Sequence, residues 1–443
     1  MSRPTVLSLY SGAGGLDYGF EAAGFRTRAA IEMDGPCCQT LRANRPRWAI
    51  VEDDIHKVPT AAMLEAAHVG RGDIDVVIGG PPCQPFSKSG YWARGDTLRL
   101  GDPRARTLEA YLRVVEQAQP RAFVLENVAG LAFDGKSEGL RFLLQGIHRI
   151  NRCTGSAYRP FHRIVRAADF GVPQIRERFF LIAARDGADF AFPEATHATA
   201  SDRLPANLEP HRTAWDAIGD LLPEADSDLA PRGKWAALLP TIPEGHNYLW
   251  HTDRGGGSPL FGWRRRYWSF LLKLAKNRPS WTIQAQPGPA IGPFHWHNRR
   301  LSGRELCRLQ TFPDDVTVLG GIAAVHKQLG NAVPSLLGEV LARAIASQLL
   351  GCRPPDGRLR LLPPRRNPVP PPEPTTAVPS AYRRYIGSHS PHPGTGRGHG
   401  AVIKRLERLQ KEDRTDGDEG AVNRGGETLG IQTAIDRSAE DNG

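Results

Sequence analysis

The most restrictive stretch lies near the N-terminus, where the apolar run Val6-Leu7-Ser8-Leu9-Tyr10 breaks into Ser11-Gly12-Ala13-Gly14-Gly15. Helical apolar spacing then takes over at 16–23 and stops near Gly24. A strand, a glycine turn and a helix in immediate succession commit the chain to crossover connections between parallel strands. The pattern recurs, with further strands predicted over 27–31, 74–79, 122–125, 161–166 and 178–184. Over the first 190 or so residues, strand and helix alternate as in an α/β fold with a mostly parallel, doubly wound sheet.

At 443 residues the chain exceeds one ordinary domain, and two or three units are expected. Hydrophobic residues make up 40% and charged residues 23%, with no run near the roughly 20 apolar residues of a membrane span, so no membrane association is expected. Met1-Ser2-Arg3-Pro4-Thr5 leads directly into the first strand without an export signal, which makes the cytoplasm the expected compartment. The six cysteines show no CxxC or metal-ligand spacing, so reduced thiols and no metal are expected. A net charge of +10 suits a polyanionic partner, although a merely solvated basic surface fits it equally well.

Composition shifts after Asp186. Seven of the nine tryptophans fall between Trp215 and Trp296, among many arginines and lysines, which separates a smaller unit at 190–300 from the domain begun at 1–189. Its Arg254-Gly255-Gly256-Gly257 and Gln286-Pro287-Gly288-Pro289 suggest binding loops, and a compact aromatic core is the plainer alternative. Helical patterns at 304–310 and 334–350 read as a return to the first domain over 301–352. The Pro/Arg-rich and then polar stretch 353–443 is expected to form an unordered tail with one short helix at 401–412.

The glycine turn points backbone NH groups at a helix N-terminus, where an anionic or adenosine-containing ligand would sit, though its spacing is not GxGxxG. Glu32 closes the next strand and Asp54 follows about twenty residues later, both suited to an adenosine ligand. Cys83 follows Val76-Val77-Ile78 and two glycines at the carboxyl end of a strand, stiffened by Pro81 and Pro82. A lone cysteine is more often a small buried hydrophobe, but the Pro-Pro-Cys-Gln-Pro setting favours a nucleophile. Glu126-Asn127-Val128 brings a carboxylate to the same sheet edge, for catalysis or for a structural ion pair. In Gln174-Ile175-Arg176-Glu177-Arg178 the two arginines share a side, and surface charge is the simpler reading of that motif alone.

Taken together, these motifs resemble the cytosine-5 DNA methyltransferase family of bacterial restriction-modification type. The resemblance runs over roughly 4–345, through Leu9 to Leu16, Glu32, Asp54-Ile55, Pro81-Pro82-Cys83-Gln84, Glu126-Asn127-Val128 and Gln174 to Arg178. It continues through Arg304-Glu305, Arg308-Leu309-Gln310, Phe312-Pro313-Asp314 and Gln328-Leu329-Gly330-Asn331-Ala332-Val333-Pro334. It implies a Rossmann-like S-adenosylmethionine-dependent methyltransferase domain with a smaller target-recognition domain. The implied activity is methyl transfer from S-adenosyl-L-methionine to carbon 5 of a cytosine in double-stranded DNA.

The resemblance also implies roles. Cys83 supplies the thiolate, Glu126 binds the ring nitrogen and amine of the base, and Arg178, with Arg176 beside it, holds the base carbonyl. Tyr10 faces the adenine, Gly12 and Gly14 approach the methionine part, Glu32 takes ribose hydroxyls, Asp54 takes the adenine amine and Asn331 closes the methionine end. Ser11, Gly15, Leu16, Met33, Ile55, Pro81 and Ala332 complete the implied cofactor set. Two departures are visible: Tyr10 stands where the family often has Phe, and Asp53 where it often has Gly.

Carbon 5 is inaccessible in a stacked duplex, so the base is expected to flip out, with 87–101 as a loop closing over it. Gln84, Ser87, Arg264, Arg265 and Arg299 are the expected DNA contacts, and Thr282-Ile283 matches a short Thr-aliphatic pair of the family. A monomer is expected, alongside a restriction endonuclease acting on the same site. Two competing readings are methylation of transfer RNA, which the basic Trp-rich insert disfavours, and a catalytically silent DNA-binding relative, which would have lost Cys83 or Glu126. A nicotinamide-binding protein fits neither the glycine spacing nor the cysteine.

Overall fold

In the computed structural model, residues 3–82, 106–132, 138–200, 204–222, 229–262 and 267–387 are described. The first strand, β1 (Thr5–Leu9), is flanked by parallel partners β2 (Arg26–Glu32) and β4 (Val76–Gly79). Beyond β2 lies the short β3 (Ala49–Glu52), which the sequence pattern did not reveal because its residues are only partly covered. Beyond β4 lies β5 (Ala122–Val128), again parallel. The sheet is completed by β6 (Phe161–Arg166) and β8 (Glu177–Ala184), with β8 antiparallel to both β5 and β6. The order is β3-β2-β1-β4-β5-β8-β6, so the winding direction reverses between β1 and β4, where doubly wound sheets leave a crevice at their carboxyl ends. Between β6 and β8, the two-residue β7 (Gln174–Ile175) leaves the sheet to pair with Ser280–Trp281.

Strands buried on both faces read as continuous apolar runs. Alternation sends Leu7, Leu9, Val77, Phe123 and Leu125 to one face, under the helices Thr60–Ala66, Arg106–Ala118 and Glu138–Thr154. Val6, Val76, Ile78 and Val124 go to the other, under α1 (Gly15–Ala22) and the helix Ser335–Gln348. The last helix comes from 300 residues downstream yet lies directly on α1. A Cβ on Gly19 would stand 2.3 Å from the Ser335 carbonyl oxygen, so only glycine permits this approach.

Residues 229–262 and 267–300 contain little regular structure and are organised by aromatic packing. Leu238, Ile242, Tyr248, Leu260 and Leu271 form a small core ringed by Trp235, Trp250, Phe261 and Phe270. Many of the tryptophans are therefore packing residues, as the plainer alternative held.

The tail departs from expectation. Residues 353–387 are not loose: Leu359, Leu361 and Leu362 pack on the second core, and Tyr382 and Tyr385 on Trp235. Composition misjudges this stretch because its order comes from backbone amides bonded to buried carboxylates, such as Arg360 and Leu361 donating to Glu339 at 2.8 and 2.9 Å. The helix expected at 401–412 lies outside the described residues. No helix among the described residues is long and apolar enough to cross a membrane, and among them no cluster of side chains could hold a metal.

Asp17, in the first turn of α1, is buried and accepts a hydrogen bond from the Ser8 hydroxyl at 3.0 Å. Burial raises its carboxyl from 3.8 to about 7. The unfolded chain therefore binds fewer protons than the folded one between those values, and the associated stability, full below about pH 4, is lost as pH rises through about 7. Asp17→Asn should be more stable than the parent at about pH 8 but not at about pH 4. Urea midpoints at the two pH values check this, and a constant gap between parent and variant would contradict it.

Candidate active site

At the carboxyl end of β1 the chain turns sharply. Tyr10 sits at φ 54°, unusual for an aromatic residue, and is held there by its hydroxyl donating to the Thr107 carbonyl at 2.8 Å. Gly12 follows at φ 55°, and a Cβ on it would meet nothing within 4 Å, so the turn borders open space. The Glu32 carboxylate caps this turn from β2. One oxygen accepts from Gly12 NH at 2.7 Å, the other from Met33 and Asp34 NH at 2.9 and 2.8 Å. Beside it, Met33 is 68% exposed, an apolar side chain in solvent next to the open turn.

Burial and then the nearby Asp54 carboxylate, with a smaller push from Glu32, hold the Tyr10 phenol well above its usual range. Asp54 is half-buried, whereas Asp53 is exposed. Asn331 is exposed at the end of the helix Ile322–Asn331, and Ala332 backs directly onto Gly15. Ser11 donates to the Ser8 hydroxyl at 2.8 Å, Gly14 caps α1, and Leu16 and Ile55 are core residues. The implied cofactor positions thus divide into an open rim of Tyr10, Gly12, Glu32, Met33, Asp54 and Asn331, and a packed backing.

Glu126 and Arg178 meet at the next strand ends. Antiparallel pairing sets Arg178 opposite Val128, two residues from Glu126 and so on the same face, and Arg178 Nε stands 2.8 Å from Glu126 Oε1. Glu126 is 8% exposed, and burial pushes its carboxyl up against the opposing pull of Arg178 and Arg176. A Cβ on Gly80 would stand 2.8 Å from Glu126 Oε2, so the Gly80-Pro81-Pro82 stem runs alongside the carboxylate. Asn127 Nδ2 donates to the Pro81 carbonyl at 3.1 Å, and Thr107 Oγ1 to the Pro82 carbonyl at 3.1 Å. Thr107 therefore links the Gly80-Pro81-Pro82 stem to Tyr10.

Two expected roles change. Arg176, expected beside the base, is 1% exposed and donates to the carbonyls of Ile283 at 3.2 Å and Gly330 at 2.7 Å, which makes it a positioning residue. A guanidinium stays protonated in proteins, so these carbonyls carry a buried cation although burial disfavours it. Arg299, expected on DNA, forms a two-pronged pair with the buried Glu305 at 2.6 and 2.8 Å, and its charge is spent inside the fold. Cys83, Gln84, Ser87, Arg264, Arg265 and the loop at 87–101 lie outside the described residues.

Sequence reasoning gave no role to Thr107 or to the amides of Asn127, Gln174 and Gln310. Gln174 accepts from Ile283 NH at 3.2 Å and donates to Gln310 Oε1 at 3.1 Å, and Thr282 donates to the Ile175 carbonyl at 2.7 Å. These bonds form the seam between the aromatic region and the sheet. At Gln310 the usable signal was a polar side chain between Leu309 and Phe312, whereas Gln174 stands beside Arg176, Glu177 and Arg178 and carried none.

Sheet order and the antiparallel β8 define a Rossmann-like α/β fold with a mostly parallel sheet. A family model, C-5 cytosine-specific DNA methylase, matches residues 4–347. Type II methyltransferase M.SacI of Streptomyces achromogenes is 41% identical over 369 residues, covering 78% of this chain and 93% of its own. Type II methyltransferase M1.HphI of Haemophilus parahaemolyticus is 32% identical over 353 residues, covering 77% and 86%. Among solved structures, an Escherichia coli protein described as a prophage-encoded DNA modification methyltransferase superposes with a TM-score of 0.54 at 25% identity, over 78% of this chain and 99% of that one. The chain belongs to the C-5 cytosine-specific DNA methylase family and is a DNA cytosine-5 methyltransferase.

Arg176→Met leaves two buried carbonyls unpaired and should destabilise the fold by about 3 kcal/mol while reducing turnover only modestly. Arg178→Met should do the reverse, with a small stability loss and a large fall in turnover. Denaturant midpoints and kcat for the two variants check this crossing pattern, and equal losses on both axes would contradict it.

Proposed function

We propose that the enzyme transfers a methyl group from S-adenosyl-L-methionine to carbon 5 of a flipped-out cytosine in a specific duplex DNA sequence, through a covalent Cys83 adduct. The observation that carries this reading is the buried Glu126–Arg178 pair beside the stem that leads into Cys83. The open rim at Gly12 fits the cofactor, with Tyr10 and the apolar Met33 suited to the adenine and the half-buried Asp54 carboxylate to its amine. Asn331 would face the methionine end. When bound there, the cofactor would supply an activated methyl group from its sulfonium sulfur and be left as the neutral thioether S-adenosyl-L-homocysteine.

The residues of the chain do the rest. The Cys83 thiolate forms a bond to carbon 6, and the ring electrons move toward the ring nitrogen that Glu126 faces. A carboxyl raised by burial keeps a proton available for that nitrogen and accepts from the exocyclic amine, which thymine lacks. Arg178, held by Glu126, donates to the base carbonyl as negative charge accumulates. Carbon 5, now enamine-like, takes the methyl group. Its proton then leaves to a base, the carbon–sulfur bond breaks, and the thiolate and the aromatic ring are restored. A buried site keeps water from the adduct.

Arg264 and Arg265 in the 190–300 region are the arginines proposed to contact DNA, Gln84 and Ser87 follow the nucleophile, and the stretch at 87–101 is proposed to close over the base. The role proposed is protection of cytoplasmic DNA, by a monomer, against a restriction endonuclease of the same specificity.

Glu126→Gln should lower kcat by about 100-fold or more while DNA binding persists, and Cys83→Ala should form no product. Transfer of labelled methyl to duplex DNA and to transfer RNA, followed by bisulfite sequencing, checks the substrate and reveals the target sequence. Label found only in RNA, or a Cys83→Ala protein as fast as the parent, would overturn the proposal.

A further inference from the structure

The stretch 353–387 leaves the helix Ser335–Gln348 and runs from the catalytic sheet to the centre of the aromatic region, fastened at three places. The first is on the sheet. Glu339, fully buried, accepts from Arg360 and Leu361 NH and from the Arg343 guanidinium at 2.7 Å. The second is at the short helix Ala214–Ile218, where the aromatic region begins. Buried Asp216 accepts from Arg366 NH at 2.8 Å and from Arg365 Nη1 at 3.1 Å. The Arg365 guanidinium also donates to the His211 carbonyl at 2.8 Å, and Arg366 pairs with Asp220 at 2.8 Å.

The third fastening lies inside the aromatic region. The Lys276 ammonium, on a side chain 3% exposed, stands 2.6 Å from Glu244, 2.9 Å from Glu373 and 3.0 Å from the Pro371 carbonyl. Glu373 NH donates to Glu244 at 2.9 Å, and Thr376 NH to the Pro240 carbonyl at 3.1 Å. Tyr382 stacks on Trp235 at 5.7 Å and donates to the Lys234 carbonyl at 2.6 Å. Each fastening pairs a buried charged group on the body of the protein with backbone or side-chain partners on the strap. Removing the strap would leave Glu339, Asp216 and Lys276 short of partners in places water reaches poorly.

We propose that residues 353–387 are a positioning strap that fixes the orientation of the DNA-recognition region on the catalytic sheet. The proposal rests on the reading of 190–300 as that region. The aromatic region is joined to the rest of the protein by its two chain connections, by the seam at Gln174, Arg176 and Thr282, and by a core in which Ala214, Ile218, Leu274 and Trp296 pack with Leu306, Leu309 and Phe312. The small core of Leu238, Ile242 and Tyr248 is separate from that packing, and the strap crossing from Glu339 to Trp235 adds an attachment there through Val378, Tyr382 and Tyr385. Orientation fixed in advance lowers the ordering cost of binding, so its loss falls on DNA affinity rather than on chemistry. The strap touches none of the groups assigned to the base or the cofactor, which is why the two effects separate.

The test compares the full chain with a chain ending at Gly387, a chain ending at Cys352, and a full-length Arg365→Met, Arg366→Met, Glu373→Gln variant. Methyl transfer is measured against both DNA and S-adenosylmethionine. The chain ending at Gly387 should match the parent. The shorter chain and the triple variant should show KM for DNA raised about tenfold or more, with kcat at saturating DNA and KM for S-adenosylmethionine within about twofold. Unchanged KM for DNA in the triple variant, or equal losses in all three parameters, would overturn the proposal, and that variant decides the matter if the shorter chain fails to fold. An Arg264→Ala, Arg265→Ala variant separates the two levels of inference. If it raises KM for DNA while the strap variants do not, the strap proposal alone fails; if neither raises it, the recognition reading fails too.

Discussion

Everything in the site hangs on the return of residues 328–338 onto the glycine turn. A Cβ on Gly330 would stand 2.4 Å from Ala285, so at this point the backbone of the aromatic region touches the backbone that follows Gln328. The Gly330 carbonyl takes the Arg176 guanidinium, and Gln310 donates to the Leu329 carbonyl one residue earlier. Immediately afterwards Ala332 backs onto Gly15, and Ser335 meets Gly19 on α1. The rim proposed for the cofactor, the strand end carrying Arg178 and the seam with the aromatic region are thus referenced to one short segment. A shift there would move all three together, which is how residues 300 apart in sequence can share an ångström-scale site.

Charge is handled with the same economy. Several ionisable side chains of the described interior come in pairs, Glu126 with Arg178, Arg299 with Glu305 and Lys276 with Glu244, while Arg176 is held by carbonyls. Only the first pair sits at the sheet edge where a base could reach it. A buried pair is a weak source of stability, since desolvation consumes most of its attraction. Its value at Glu126 is geometric and electronic instead: the pair fixes the direction of a donor and an acceptor, and burial biases the acid toward its proton-bearing form.

How much of this was legible in the sequence follows from how local each determinant is. The strands at Val6 to Leu9, Val76 to Gly79 and Phe123 to Leu125 could be read because burial on both faces demands unbroken apolar runs. Glu126 could be placed at the sheet edge because it directly ends such a run. By contrast, Arg176 and Arg178 carry the same side chain two residues apart on one side of the chain, and nothing local says that one faces Glu126 while the other turns to Ile283 and Gly330. Arg299 looked like a DNA contact because its environment is basic in sequence. Its partner Glu305 is six residues on, at the third position of the helix Gly303–Leu309, where it also accepts from Ser302 NH at 2.8 Å and completes a capping box. The Ser-Gly-Arg-Glu spacing of that box was available and marks a helix start at Gly303, but the burial of Glu305 that calls for Arg299 is set by packing from elsewhere in the chain.

The strap marks the deeper boundary. A composition argument asks whether a segment can bury enough apolar surface to offset its ordering entropy, and 353–387 fails that test taken alone. What orders it is a set of acceptors already fixed by the rest of the fold. Glu339 and Asp216 are held inside by the helices that carry them, so their carboxylates face unmet hydrogen-bond demand before the strap arrives. Backbone amides satisfy that demand without any particular side chain, which leaves almost no trace in residue type. Prolines in the segment narrow the unfolded ensemble and reduce the entropy to be overcome. A stretch that reads as disordered can therefore be among the better-fastened parts of a chain when its partners are buried charges placed 21 to 150 residues away.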